Sequence, residues 1–171
     1  ISVAPADSTR NGIATIYQDR ALVDSVSIYR NIFMGNEIVS GLGFLEKRRM
    51  RGITRDLLRD SISIGLSDPD QAVGELSGGQ KQAVAIVRAI HFKARLLLLD
   101  EPTNALSVKE SQQVMAFVKG LRDEGISSII VTHNLFHVYS IADRFVILNR
   151  GVKVGDYGKS EISIEKLEQI I

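Results

Sequence analysis

Three short segments carry side chains whose types and spacing could do chemistry. In Leu76-Ser77-Gly78-Gly79-Gln80, a hydroxyl residue stands three before a glutamine, the pattern of a capping box, so a helix is expected to start there. Gly78 and Gly79 leave its first N–H groups without side-chain cover, and bare amides at the positive end of a helix favour a phosphate or another anion. A lone Ser-Gly-Gly is more often an ordinary capped turn. After Arg95, the run Leu96-Leu97-Leu98-Leu99 leads into Asp100-Glu101-Pro102-Thr103, an apolar strand that delivers two adjacent carboxylates at its end. A desolvated carboxylate needs a cation or several donors, so two together suggest work on a charged ligand; the plainer alternative is a pair of acids capping the next helix. Val131-Thr132-His133 ends a second apolar stretch in histidine, which by itself is only a polar loop residue. His133 and His137 have the i, i+4 spacing of a helical zinc site, but residue 134 is Asn and no third ligand is near, so zinc is rejected.

The elements that must position these residues can be read around them. Residues 13 to 17 have strand content and turn polar at Gln18-Asp19-Arg20. Ser27 is expected to cap a short helix ending at Gly35. A longer helix is expected to follow, with Met50, Ile53, Leu57, Leu58 and Ile62 on one side up to Gly65, so residues 19 to about 75 read as helical. Beyond them strands and helices alternate. Arg95 to Asp100 and Ser128 to Thr132 read as buried strands, and Val114, Phe117, Val118 and Leu121 form one helical face that Gly125 terminates. Residues 145–148 and 152–154 around Gly151 read as a hairpin, and a last helix starts at Ser163 with Ile164, Leu167 and Ile171 on one face. Buried strands alternating with helices predict an α/β fold with a mostly parallel sheet covered on both faces, and ligands there lie beyond the carboxyl ends of the strands.

Composition narrows the class further. The 171 residues suit about one domain able to bury roughly 70% of its unfolded surface. A hydrophobic fraction of 44%, with 14 Gly and 3 Pro, is that of a globular chain and not of a disordered or collagenous one. With 21 basic and 20 acidic residues, the formal charge of +1 offers no general attraction to nucleic acid or anionic lipid. Zero cysteines exclude disulfides, thiolate zinc sites and cysteine nucleophiles. The longest aliphatic run, Leu96 to Leu99, is too short to span a bilayer, and no signal peptide is visible.

Taken in order, the "LSGGQ", "LLLLDEPT" and "VTHN" segments resemble the signature motif, Walker B strand and switch-histidine loop of the ATP-binding subunits of ABC transporters. The resemblance covers essentially the whole chain. Tyr17-Gln18-Asp19 resembles the family's Q-loop, and "IATIYQDRALVDSVSIYRNIFMG" and "HNLFHVYSIADRFVILNRG" look like the subunits that energise monosaccharide importers. The resemblance implies a P-loop NTPase-like core, residues 1–18 and 89–171, with an inserted helical subdomain, residues 19–88. It implies that ATP and Mg²⁺ are the cofactors of the parent protein. Asp100 would hold the metal through water, with Gln18 linking the metal site to the transmembrane permease subunits. Glu101 would be the general base and His133 the γ-phosphate sensor. Ser77, Gly78, Gly79 and Gln80 would close over ATP bound to a second ATP-binding subunit. An external sugar-binding protein would take part indirectly, nucleic acid would not, and the location would be the cytoplasmic face of the membrane.

Two departures qualify this. The family's phosphate loop, GxxxxGK[ST], is expected upstream of Gln18 and is not found there; Gly158-Lys159-Ser160 lacks the earlier glycine, where Lys153 stands, and reads as a loop before the last helix. The chain is therefore expected neither to bind ATP tightly nor to hydrolyse it alone. In Asn104-Ala105-Leu106-Ser107 the family's usual aspartate is replaced by Ser107, which with Glu110 still makes a capping box. The basic cluster Lys47, Arg48, Arg49, Arg51 and Arg55 reads first as a solvated helix face and second as a contact for lipid headgroups or permease loops. Two competing functions are a soluble ATPase of the same superfamily and a non-catalytic interaction module. The 57 residues between Gln18 and Leu76 leave no room for the long coiled coil of chromosome-maintenance members.

Overall fold

The computed structural model describes residues 11–60 and 65–170. The chain forms two units, one ending at Val131 and one beginning at Thr132.

The first unit is built on a parallel sheet of three strands, β1 (Ile13–Ile16), β2 (Leu96–Asp100) and β3 (Ser127–Val131), in the order β1-β2-β3. Ile16 lies opposite Leu99, and Asp100 opposite Val131, so the carboxyl ends of all three strands share one edge. Paired residues of parallel strands point to the same face. Leu97, Leu99 and Ile16 are buried, and helices α3 (Gly78–His91) and α4 (Val108–Asp123) pack on β1 and β3 and on each other. On the other face Leu98 is half-buried, while Ile129 and Val131 are 53% and 61% exposed. The expected cover on both faces is thus incomplete among the described residues.

Helices α1 (Ile28–Phe33) and α2 (Lys47–Asp60) join α3 around a second core of Ile28, Ile32, Phe33, Met50, Leu58, Leu66, Val73 and Val84. The reading of residues 19 to about 75 as helical is too broad. Between α1 and α2, Gly43 takes φ +80°, Gly43 N–H donates to the Ser40 carbonyl at 2.9 Å, and Val39 bridges Leu45. A left-handed glycine two residues from Gly41 favours this turn over a helix, and the apolar residues Val39, Leu42 and Phe44 are exposed. Residues 21–26 are also non-helical: buried Asn31 receives Val23 N–H at 2.8 Å and donates to the carbonyls of Val23, Val26 and Ser27. Ser27 stands at the N-cap of α1, and its backbone bridges Ala72, but its hydroxyl caps nothing and is buried without a partner. Ile62, expected on the α2 face, lies outside the described residues, as does Ile171 of the last helix.

The second unit contains α5 (Leu135–Tyr139), the antiparallel pair β4 (Arg144–Asn149) and β5 (Val152–Gly158), and α6 (Ile164–Ile170). The hairpin turns on Arg150 and Gly151, at φ +47° and +79°, the conformation that matches strand twist. Phe145, Ile147, Ile162 and Leu167 form its core, and Tyr139 stacks on Phe145 while its hydroxyl donates to the Ile162 carbonyl at 3.1 Å. The Gly158-Lys159-Ser160 segment ends β5 and opens a single 3₁₀ turn, Lys159–Glu161.

Candidate functional site

The acids sit where the sheet ends. Asp100 is the last residue of β2 and is exposed; Glu101 follows at φ +45°, half-buried, with its N–H donating to the Val131 carbonyl at 2.9 Å. Asn104 N–H returns to the Glu101 carbonyl at 3.0 Å, so residues 101–104 form a tight turn with Pro102 and Thr103 buried beneath it. Ala105, also left-handed at φ +58°, then redirects the chain into α4. Ser107 caps that helix with both bonds of a capping box to Glu110.

The glycine turn is the N-terminus of α3. Ser77 Oγ accepts Gln80 N–H at 3.3 Å, and Gln80 Oε1 accepts Ser77 N–H at 3.0 Å, the reciprocal pair expected from the spacing. The two glycines do more than bare the amides. A side chain at 78 would meet Leu106 Cδ2 at 2.6 Å, and one at 79 would meet Glu110 Cβ at 3.1 Å. The stretch that follows Glu101 therefore lies directly on the turn, and Gly79 N–H donates to Glu110 Oε1 at 3.1 Å. Donors surround this carboxylate: the Ser77 hydroxyl first, then the Ser107 hydroxyl and the amides of Gly79 and Ser107, which together hold it at about 2. Glu110 is legible in the sequence as a local cap; its reach to a residue 31 positions away is not.

Gln18 is exposed, two residues beyond the end of β1, and so leaves the sheet at the same edge as Asp100. The segment after it is tied to α3: Arg20 Nε donates to Gln82 at 2.8 Å, Arg88 to the Ala21 carbonyl at 3.0 Å, and Lys81 pairs with Asp24 at 2.9 Å. Burial lowers the pKa of the Arg88 guanidinium. His133 is exposed near the start of the second unit, just before α5, which Asn134 caps by accepting His137 N–H at 3.4 Å. The first unit thus brings Gln18, Asp100 and Glu101 to one sheet edge and links the Ser77–Gly79 turn to the stretch after Glu101.

Comparison with known proteins places the chain in a family. The family described as ABC transporter matches residues 2–104, which include the glycine turn and both acids. The chain belongs to the ABC transporter family. The xylose/arabinose import ATP-binding protein XylG of Sulfolobus acidocaldarius is 40% identical over 168 residues, 98% of this chain and 66% of that protein. The fructose import ATP-binding protein FrcA of Rhizobium meliloti is 37% identical over 86% of this chain and 59% of its own length, and the ribose import protein RbsA of Bacillus subtilis is 31% identical over 95% and 33%. This ABC chain accordingly spans no more than about two thirds of those relatives. Among solved structures, the ATP-binding cassette MJ1267 superposes with TM-score 0.77 at 24% identity over 97% of this chain and 70% of that one, and a nucleotide-free cassette with 0.72 at 20% over 98% and 68%. At those identities the structures show the fold: an α/β cassette with helices against a parallel sheet. Among the described residues of this ABC chain, no helix is long and apolar enough to cross a membrane.

Proposed function

We propose that the protein containing this chain is the ATP-hydrolysing subunit of a sugar importer, working as a head-to-tail pair that sandwiches two ATP molecules. One observation carries the reading: β2 delivers Asp100 and Glu101 at the carboxyl edge of a parallel sheet, where β1 also leads out to Gln18. Ligands of open α/β sheets bind beyond that edge. The exposed Asp100 carboxylate, a hard oxygen donor, fits a magnesium ion held through water, and Gln18 stands at the same edge. When bound, the ion supplies charge neutralisation on the phosphates.

Each remaining residue has a role in its own right. Glu101 orients the attacking water and accepts its proton. His133 donates to the γ-phosphate and reports its presence. Ser77, Gly78, Gly79 and Gln80 present the start of α3 to ATP on the second subunit. Residues 19–88 form the helical subdomain that receives permease loops, with Gln18 as the link, and the subunit rests peripherally on the cytoplasmic face of the membrane. Relatives named for xylose/arabinose, fructose and ribose import support a monosaccharide cargo delivered by an external binding protein. The 171-residue chain, which contains no GxxxxGK[ST] sequence, does not hydrolyse ATP by itself.

Magnesium-dependent ATPase activity of the full gene product tests this. Glu101→Gln should lower the rate at least about 100-fold, the scale on which general bases act. ATP-driven pairing of subunits should survive the change. Retained hydrolysis in that variant, or hydrolysis by the 171-residue chain, would overturn the corresponding part of the reading.

A further inference from the structure

The turn proposed to grip a phosphate already holds an anion. Glu110 Oε1 accepts Gly79 N–H at 3.1 Å, and Oε2 accepts the Ser107 N–H at 3.1 Å and the Ser107 hydroxyl at 2.8 Å. The Ser77 hydroxyl faces the same carboxylate and helps to lower its pKa. The carboxylate thus touches the N-termini of both α3 and α4, where helix dipoles favour negative charge. Among the described residues, its partners are all neutral hydroxyls and amides.

Ser77 and Gly79 are also donors that the reading above assigns to the γ-phosphate of the opposite subunit. A single N–H or O–H serves one strong acceptor at a time, and a carboxylate beside a phosphate repels it. We propose that Glu110 is the resident anion of the glycine turn: it must surrender the Gly79 N–H before a triphosphate can dock there, and so it sets the ATP concentration at which two subunits pair. The exchange is partial. Glu110 Oε2 keeps both bonds to Ser107, so the cap of α4 survives while the link from α4 to α3 opens. Arrival of nucleotide is thereby felt at the stretch that follows Glu101.

This inference rests on the proposed ATP sandwich, and its sign separates it from a bracing role. A brace, once removed, weakens both fold and pairing; a resident anion, once removed, weakens the fold and strengthens pairing. The experiment uses the full gene product carrying Glu101→Gln to suppress hydrolysis, with subunit pairing followed by light scattering as ATP and magnesium are raised. Glu110→Ala should lower the ATP midpoint about tenfold, the worth of one hydrogen bond to a charged group. Glu110→Gln, which keeps an acceptor and loses the charge, should lower it by less. Thermal stability without nucleotide should fall in both. An unchanged or raised midpoint in the two variants would overturn the inference while leaving the sandwich intact. Failure of ATP to pair even the Glu110 parent would overturn the sandwich and the inference with it.

Discussion

Glu101 N–H donates to the carbonyl of Val131 at 2.9 Å, so the end of β3 fixes the backbone immediately after Asp100. The same residue holds φ +45°, a left-handed conformation that costs a non-glycine residue about 1–2 kcal/mol. Strain of this kind persists where the surroundings over-determine it, and it sits here at the proposed base. Among variants that lose the side chain, Glu101→Gly should therefore be more stable than Glu101→Ala by about 1 kcal/mol, the reverse of their usual order in regular structure. Urea unfolding of the two checks this, and equal midpoints would show that the backbone is relaxed.

Ser77 and Ser107 cap different helices, and Glu110 links the two helix starts through its bonds to Ser107 and to Gly79 N–H. Each Ser→Ala change should cost about 1 kcal/mol, as loss of an N-cap does. The double variant should depart from the sum by more than about 0.5 kcal/mol, because residues in one network are not independent. A double-mutant cycle by denaturant unfolding measures the coupling; strict additivity would mean that the two helix starts are mechanically separate.

Two groups make the fold sensitive to acid in separate windows. His91 at the end of α3 lies edge-on to Phe33 at 4.5 Å between centroids, and its burial holds its pKa below the ordinary 6.5. The unfolded chain therefore takes up a proton there more readily than the folded one. Stability is full above about 6.5 and falls as pH drops below it. Glu110, lowered from 4.5 to about 2, contributes above 4.5 and loses its contribution as pH falls towards 2. Stability measured against pH should flatten below 6.5 in His91→Phe, and between 4.5 and 2 in Glu110→Gln.

Leu97, fully buried in the central strand, and Leu42, 86% exposed in the turn before α2, form a matched pair of probes. Leu97→Ala should cost about 2–5 kcal/mol through lost burial and the cavity it leaves. Leu42→Ala should stay within about 0.5 kcal/mol. Comparable losses in thermal unfolding would place Leu42 in a packed environment.

What could be read from the residues alone was local or periodic. Ser77 with Gln80 and Ser107 with Glu110 are three apart, and both boxes form because the helix itself brings their members together. Four leucines before two acids read as a buried strand end, and β2 is one, though its Leu96 and Leu98 face is only half-buried. The segment from Val39 to Leu45 fell inside the span from 19 to about 75 read as helical, whereas Gly43 adopts a conformation that only local backbone geometry reveals. Ser27 misled in another way: it takes the N-cap position while its backbone bridges Ala72, 45 residues on, and its hydroxyl makes no capping bond. The bond from Gly79 to Glu110 belongs to the same class, since packing of α3 on α4 creates it and no short pattern encodes it.

Ile129 and Val131 point outward from β3, which ends the three-stranded sheet and meets no further strand among the described residues. Oily side chains beside unsatisfied main-chain groups are the raw material of aggregation. Solutions of the 171-residue polypeptide should turn cloudy as they are concentrated, and Ile129→Lys should clear them without altering the melting temperature by more than a few degrees.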